Sequence, residues 1–276
     1  MNQVYFKTDE DFEKIIKDNI KDKKVEDIKC ITTGWTNIVY EVKTNDGNYF
    51  FRFPRDEFWS RTIVKDYEFA KYIHNKTDFN TANLELKFQD GRPFSMHKKI
   101  EGVSLSNKMN DLSCEEIKNI SDDIAKFMYQ LHTLKFEKEK VFDIKNIGLE
   151  LTDFLNELLT LHVDKEDMKF WKFPKENENH TCLVHGDLNS SNVILNKDNR
   201  VEAIIDFGFG GYGNLYDDLG RIAGRCRPEF KENLVSSYEK YAKIEVDENK
   251  LNETMNEWSN IDQSYINYMR KIGIYE

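Results

Sequence analysis

The sequence predicts an α+β chain of two lobes, a small antiparallel β lobe followed by a larger helical lobe. Three features carry that expectation. Ahead of Gly102, short apolar runs alternate with turn sequences, among them Asn45-Asp46-Gly47 and Gln89-Asp90-Gly91, where Asn and Gly tolerate positive φ. Beyond Gly102 the apolar residues recur at helical spacing, as in Ile117, Ile120, Ile124, Phe127, Met128 and Leu131. One brief return to strands and loops, from His185 to Gly208, interrupts the helical part.

The first element is a helix, capped through Thr8 and Asp11, with Phe12, Ile15, Ile16 and Ile20 on one apolar face. Strands follow at 28–33, 38–43 and 49–53, then a helix at 63–74 and two strands at 84–88 and 93–97. Ser113 and Glu116 have capping-box spacing ahead of the next helix, and another helix covers 149–161. Short strands flank the turn between Leu195 and Val201, and the chain is helical again beyond Asp217. The lobes are therefore expected at 1–97 and 103–276, joined by a hinge at 98–102.

A chain of 276 residues with 39% hydrophobic content can bury a sizeable core, and only 4 Pro and 13 Gly leave little room for flexible linkers. Cys30, Cys114, Cys182 and Cys226 are far apart, without metal-ligand spacing, and are expected to be buried thiols in a reducing compartment. No stretch has a signal-peptide or membrane-spanning pattern, so the expectation is a cytoplasmic monomer without a membrane partner. The net charge is −10, and from Asp143 onward 16 basic residues face 25 acidic ones. That field disfavours nucleic acid and attracts cationic small molecules.

The chemistry is carried by two strings, His185-Gly186-Asp187-Leu188-Asn189-Ser190-Ser191-Asn192 and Ile204-Ile205-Asp206-Phe207-Gly208. An Asp that accepts a hydroxyl proton, an Asn a few residues on and a second Asp after a strand form the minimum kit for phosphoryl transfer. In that reading Asp187 orients the acceptor hydroxyl, and Asn192 and Asp206 offer the hard oxygens that suit Mg²⁺. His185 is expected to hold the loop through backbone hydrogen bonds.

On these motifs the chain resembles the aminoglycoside phosphotransferase and choline kinase superfamily, whose fold is protein-kinase-like. The resemblance covers nearly the whole chain and is tightest around the two strings. It implies that Asp187 is the catalytic base, that Asn192 and Asp206 ligate the metal, and that Asp218 braces the catalytic loop. It also places a nucleotide-flanking loop at Thr33-Gly34-Trp35-Thr36-Asn37, with Gly34, Thr36 and Asn37 near phosphate. Arg52, in Phe50-Phe51-Arg52-Phe53-Pro54, stands where most members have a phosphate-gripping Lys, and Arg can fill that role. Its acidic partner on the following helix is Asp66 or Glu68. Backbone groups of Lys98 and Ile100 would pair with the base of ATP or GTP.

The resemblance further implies a resistance-type enzyme whose acceptor is an aminoglycoside. A metabolic kinase for choline, a sugar or an amino alcohol is the alternative; a macrolide kinase and a nucleotide-binding pseudoenzyme follow. Candidate acceptor-site acids are Glu229, Glu239, Glu253, Glu257 and Asp262, suited to ammonium groups. Candidate aromatics are Tyr238, Trp258, Tyr265 and Tyr268, suited to trimethylammonium. Arg221, Arg225 and Arg227 follow Asp218 directly. Facing the cleft, they would favour a neutral or anionic alcohol; facing solvent, they would say nothing about the acceptor.

Overall fold

In a computed structural model of the chain, residues 11–31, 34, 36–135, 151–163, 182–271 and 273 are described. The expected Thr8 cap, Thr33, Trp35 and Leu149 lie outside them. Helix α1 (Phe12–Asn19) starts at Asp11, whose carboxylate accepts from the Lys14 N–H at 3.0 Å. Five strands then form one antiparallel sheet: β1 (Val25–Ile31), β2 (Asn37–Thr44), β3 (Gly47–Pro54), β4 (Glu85–Gln89) and β5 (Arg92–Lys98), in the order β1-β2-β3-β5-β4. The predicted strands are all present, each extended by a residue or more at one or both ends.

Register assigns the two faces of this sheet. Arg52 lies opposite Val39 on one side and Ser95 on the other, while Phe50 lies opposite His97. Because side chains alternate along a strand, Phe51, Phe53, Phe94 and Met96 all turn the other way. There they pack under Phe12, Ile15, Ile16 and Ile20 of the first helical segment. One face is thus a closed core, and the other is free to line a cleft.

Helix α2 (Glu57–Ile73) begins ahead of the predicted 63, since Asp56 caps it by accepting from the Trp59 N–H at 3.0 Å. Its C-terminal half contributes Phe69, Ala70 and Ile73 to the main core of the helical region. This helix therefore belongs to both halves of the molecule. After β5 the chain leaves the sheet and enters β6 (Val103–Ser104), α3 (Leu105–Lys108) and α4 (Cys114–His132). The Ser113–Glu116 capping box forms as the spacing predicts. Helices α5 (Leu151–His162), α6 (Leu215–Ala223), α7 (Pro228–Ala242) and α8 (Glu248–Lys271) complete the region.

Between α5 and α6 lie β7 (Cys182–Val184), β8 (Val193–Leu195), β9 (Val201–Ile204) and β10 (Gly211–Gly213). They form two small sheets, β6-β8-β9 and β7-β10, of which the β6 and β10 pairings have no signal in the sequence. The architecture is the expected one, an antiparallel sheet followed by a mostly helical region, and it is kinase-like. Two of the cysteines depart from expectation. Cys30 and Cys114 are exposed, the first on edge strand β1 and the second at the start of α4, and none of the four cysteines forms a disulfide. Among the described residues no helix is long and apolar enough to cross a membrane.

Gly102, at the crossing from sheet to helices, has φ +145°, and a Cβ there would stand 2.3 Å from the Leu195 carbonyl oxygen. Gly102→Ala is predicted to destabilise the protein by about 1–3 kcal/mol from backbone strain alone. The check is a lowered unfolding midpoint in urea; an unchanged midpoint would contradict this account of the crossing.

Candidate active site

Strand β7 delivers the chain to His185, Gly186 and Asp187, and a buried carboxylate from the first turn of α6 holds it there. Asp218 accepts from the His185 N–H at 2.8 Å and the Gly186 N–H at 2.9 Å. His132, on α4, donates Nε2–H to the same carboxylate at 3.2 Å and meets the Tyr238 hydroxyl through Nδ1 at 2.7 Å. The His185 ring donates Nε2–H to the Ile205 carbonyl at 3.0 Å and accepts the Asp187 N–H at Nδ1 at 3.3 Å. These bonds fix its tautomer and tie the loop to the end of β9. Gly186 has φ +77°, and a Cβ there would fall 2.3 Å from the Phe209 carbonyl oxygen, so no other residue fits the turn.

The Asp187 side chain is held by three residues, Asn192 Nδ2 reaching its Oδ2 at 3.4 Å. Asn189 Nδ2 donates to its Oδ1 at 3.0 Å, and Arg221 Nε donates to the same oxygen at 2.7 Å. Asn192 Nδ2 bonds the Asp187 carbonyl at 2.9 Å, so the amide is spent on the loop and leaves the Oδ1 side of Asn192 for another partner. Arg221 continues past Asp187: its Nη1 lies 2.8 Å from both oxygens of Asp262 on α8, and Arg225 also pairs with Asp262. The Arg221 guanidinium lies 4.4 Å from the centre of the Trp258 ring.

Across the cleft, Arg52 is shared by two carboxylates. Its Nη1 is 2.5 Å from Asp66 Oδ2, and its Nη2 is 2.8 Å from Asp206 Oδ1. Asp66, and not Glu68, is the partner from α2, and its second oxygen accepts the Phe207 N–H at 2.8 Å. Asp206 itself sits at φ +70°, a left-handed conformation that costs a non-glycine residue about 1–3 kcal/mol. Burial of Asp66 drives its carboxyl upward, against the pull of Arg52. Burial pushes the same way at Asp206, but there the Arg52 charge and hydrogen bond prevail and hold the carboxyl below its ordinary value. Both acids act on Arg52 against the cost of its burial and keep it charged.

Two cavities meet at these residues. The first, about 390 Å³, is lined by Gly34, Thr36, Asn37, Arg52 and Asp206 at one end. Asn192 and Asp187 adjoin in its lining, and Arg221, Arg225, Trp258, Asp262 and Tyr265 stand at the other end. The second, about 400 Å³, lies under the crossing strand and shares Val39, Arg52 and Asp206 with the first. His97, Lys99, Ile100, Gly102, Ile194 and Ile205 line it. Lys98 does not; its ammonium reaches the Asp46 carbonyl at 2.6 Å, and its own carbonyl accepts His97 Nδ1–H at 3.0 Å.

Of the acceptor-site candidates, only Asp262, Trp258 and Tyr265 line the first cavity. Glu229 is exposed beside Arg227, 3.6 Å away, and Glu239 caps the Val246 N–H at 2.8 Å. Glu253 and Glu257 lie on the exposed side of α8. Tyr238 is buried against His132, and Tyr268 packs on Tyr265 away from the cavity. Of the three arginines, Arg221 and Arg225 face the cleft, while Arg227 turns towards the Met109 and Leu112 carbonyls. The role of Arg221 beside Asp187 was not foreseen, although its spacing of three from Asp218 puts both on one helix face. Asn189 was also missed, and its Asx turn, closed by the Ser191 N–H at 2.9 Å, is the signal that marks it.

Residues 27–251 match the family described as APH, phosphotransferase enzyme family. Among related sequences, EKC/KEOPS complex subunit BUD32 of Debaryomyces hansenii is 23% identical over 180 residues, covering 57% of this chain and 62% of that protein. The match thus spans less than two thirds of that relative. Among solved structures, the GDP and kanamycin complex of APH(2'')-IIIa is similar with a TM-score of 0.72 at 20% identity, covering 95% of this chain and 93% of that one. Macrolide 2'-phosphotransferase MphH from Brachybacterium faecium gives a TM-score of 0.63 at 13% identity, covering 96% and 94%. At such identities the structural likeness speaks for the fold.

His97 offers a direct test of how dry the second cavity is. Burial pushes its imidazole from 6.5 down to about 4, so the folded protein keeps it neutral where the unfolded chain protonates it. Stability is therefore predicted to fall as pH drops from 6.5 towards 4, by up to about 1.4 kcal/mol per pH unit from this group. Urea midpoints across that window should decline less steeply for His97→Gln; parallel slopes in the two proteins would contradict it.

Proposed function

For a chain that belongs to the APH phosphotransferase enzyme family, we propose transfer of the γ-phosphoryl group of ATP or GTP to a hydroxyl of a small molecule. The observation that carries this reading is that Asp187, Asn192, Asp206 and Arg52 all line one cavity. The acceptor hydroxyl lies against Asp187. Its oxygen attacks the γ-phosphorus, the bond to the β–γ bridging oxygen breaks, the nucleoside diphosphate leaves and the hydroxyl proton passes to the Asp187 carboxylate. Arg221 and Asn189 hold that carboxylate in one orientation, which lowers the entropic cost of alignment.

The nucleotide base fits the second cavity, beside His97, Lys99 and Ile100. Its phosphates then run past Arg52 towards Asp187, beneath Gly34, Thr36 and Asn37. Mg²⁺ fits the donor set: Asn192 and Asp206 both line this cavity and carry amide and carboxylate oxygens, hard ligands of the type this ion takes. When bound, the ion would offset the charge of the phosphate oxygens.

An aminoglycoside is the acceptor the resemblance implies, and the ligand named in the kanamycin complex of APH(2'')-IIIa lends it support. That acceptor would make this a resistance enzyme. One observation favours a second reading, a metabolic alcohol such as a sugar: Arg221 and Arg225 both line the acceptor end of the cavity.

The test of the phosphotransfer reading is a phosphate-sized mass gain on an alcohol incubated with protein, Mg²⁺ and ATP or GTP. With any acceptor so found, Asp187→Asn is expected to lower kcat by about 10²–10⁴-fold with the nucleotide KM nearly unchanged. Near-normal turnover in that variant would remove Asp187 from the reaction.

A further inference from the structure

Two ways of holding a cationic acceptor can be weighed against the geometry: free carboxylates for ammonium groups, or an open aromatic face for a quaternary ammonium. Both are already occupied. Asp187 Oδ1 is bonded by Arg221 at 2.7 Å, and Asp262 is bonded by Arg221 at 2.8 Å and by Arg225. The face of Trp258, one of the aromatic rings lining the cavity, carries the Arg221 guanidinium 4.4 Å from its centroid. The protein has thus placed its own cation where a charged substrate would go.

This arrangement is not readily displaced. The Arg221 side chain is only 6% exposed, and it connects a carboxylate of the catalytic loop to one on α8. Removing one partner from such a buried pair leaves an uncompensated charge. Trp258 is itself anchored, donating Nε1–H to the Asp217 carbonyl at 3.0 Å. Arg225 differs: although paired with Asp262, its side chain is 37% exposed and lines the cavity, so the rest of its guanidinium is open to whatever enters. Among the described residues lining this end, the two arginines match the two carboxylates of Asp187 and Asp262, and each carboxylate is already bonded by an arginine.

We infer that the acceptor is a neutral or acidic alcohol, and that Arg225 is a specificity-determining residue that rejects polycations. The inference rests on the phosphotransfer reading and narrows its substrate class. Repulsion by an exposed, like-signed group is how a site discriminates without new attractive contacts. The chemistry is unchanged: the acceptor oxygen replaces the nucleoside diphosphate on the γ-phosphorus, and its proton goes to Asp187.

The experiment fractionates a small-molecule extract by charge into acidic, neutral and basic pools, and adds kanamycin as a separate basic acceptor. Each is incubated with protein, Mg²⁺ and γ-labelled ATP and GTP. Label is expected in the acidic or neutral pool, and Arg225→Glu is expected to lower kcat/KM there about tenfold or more through KM while raising transfer to basic acceptors. Arg227→Gln, which alters a cation facing away from the cavity, should leave the selectivity as it was. Label confined to the basic pool or kanamycin would overturn the inference, and so would unchanged selectivity in Arg225→Glu. Failure to bind either nucleotide would instead overturn the phosphotransfer reading beneath it.

Discussion

Arg52 is one cation held between two carboxylates from different parts of the fold. It reaches from the middle strand of the sheet to Asp66 on the helix that crosses into the main core, and to Asp206 on the loop after β9. Most of the cleft's geometry depends on that bridge. Truncating one member of a buried set like this typically costs about 3–5 kcal/mol, since the remaining charge has no water to return to. The second oxygen of Asp66 takes the Phe207 N–H, so the same contact steadies the backbone immediately after the left-handed Asp206. The strain at Asp206 is thereby offset by the contacts that aim its carboxylate into the cavity.

A second polar assembly does for the loop from His185 to Asn192 what Arg52 does for the cleft. Asp218, wholly buried, takes two consecutive backbone N–H groups and a histidine, while His185 links the loop to the Ile205 carbonyl. Every bond in this set joins elements distant in sequence. A buried polar network whose members are satisfied gives rigidity that apolar packing alone does not, and phosphoryl transfer depends on positioning. The two assemblies meet at the first cavity, which Asp187 and Asp206 both line.

The parts of this structure that could be read from the sequence are those decided locally. The Asn45–Gly47 turn, the Ser113–Glu116 capping box and the apolar face of α1 each depend on residues a few positions apart. The loop residues from His185 to Asp206 were legible because a single short hairpin holds them in register. Pairing between elements was less accessible. Helical spacing admitted both Asp66 and Glu68 as partners of Arg52, and only burial against the core distinguished them. Tyr238 and Trp258 looked alike as helix aromatics, yet one is sealed against His132 and the other lines the cavity. The Asp187–Arg221–Asp262 chain spans three elements, so no local pattern announces it. Composition suggested an acidic, cation-seeking surface for the second half, whereas the acceptor end of the cavity carries arginines; net charge describes a whole surface and not one pocket.

The central claim is that this cleft binds a metal–nucleoside triphosphate through Asp206 and Arg52. Calorimetric titration of non-hydrolysable ATP and GTP analogues, with and without Mg²⁺, tests it most directly in the intact protein and in Asp206→Asn. Binding that is strengthened by Mg²⁺ in the first and insensitive to Mg²⁺ in the second is the expected result. Affinity indifferent to Mg²⁺ in the unaltered protein, or an undiminished Mg²⁺ effect in Asp206→Asn, would contradict the account.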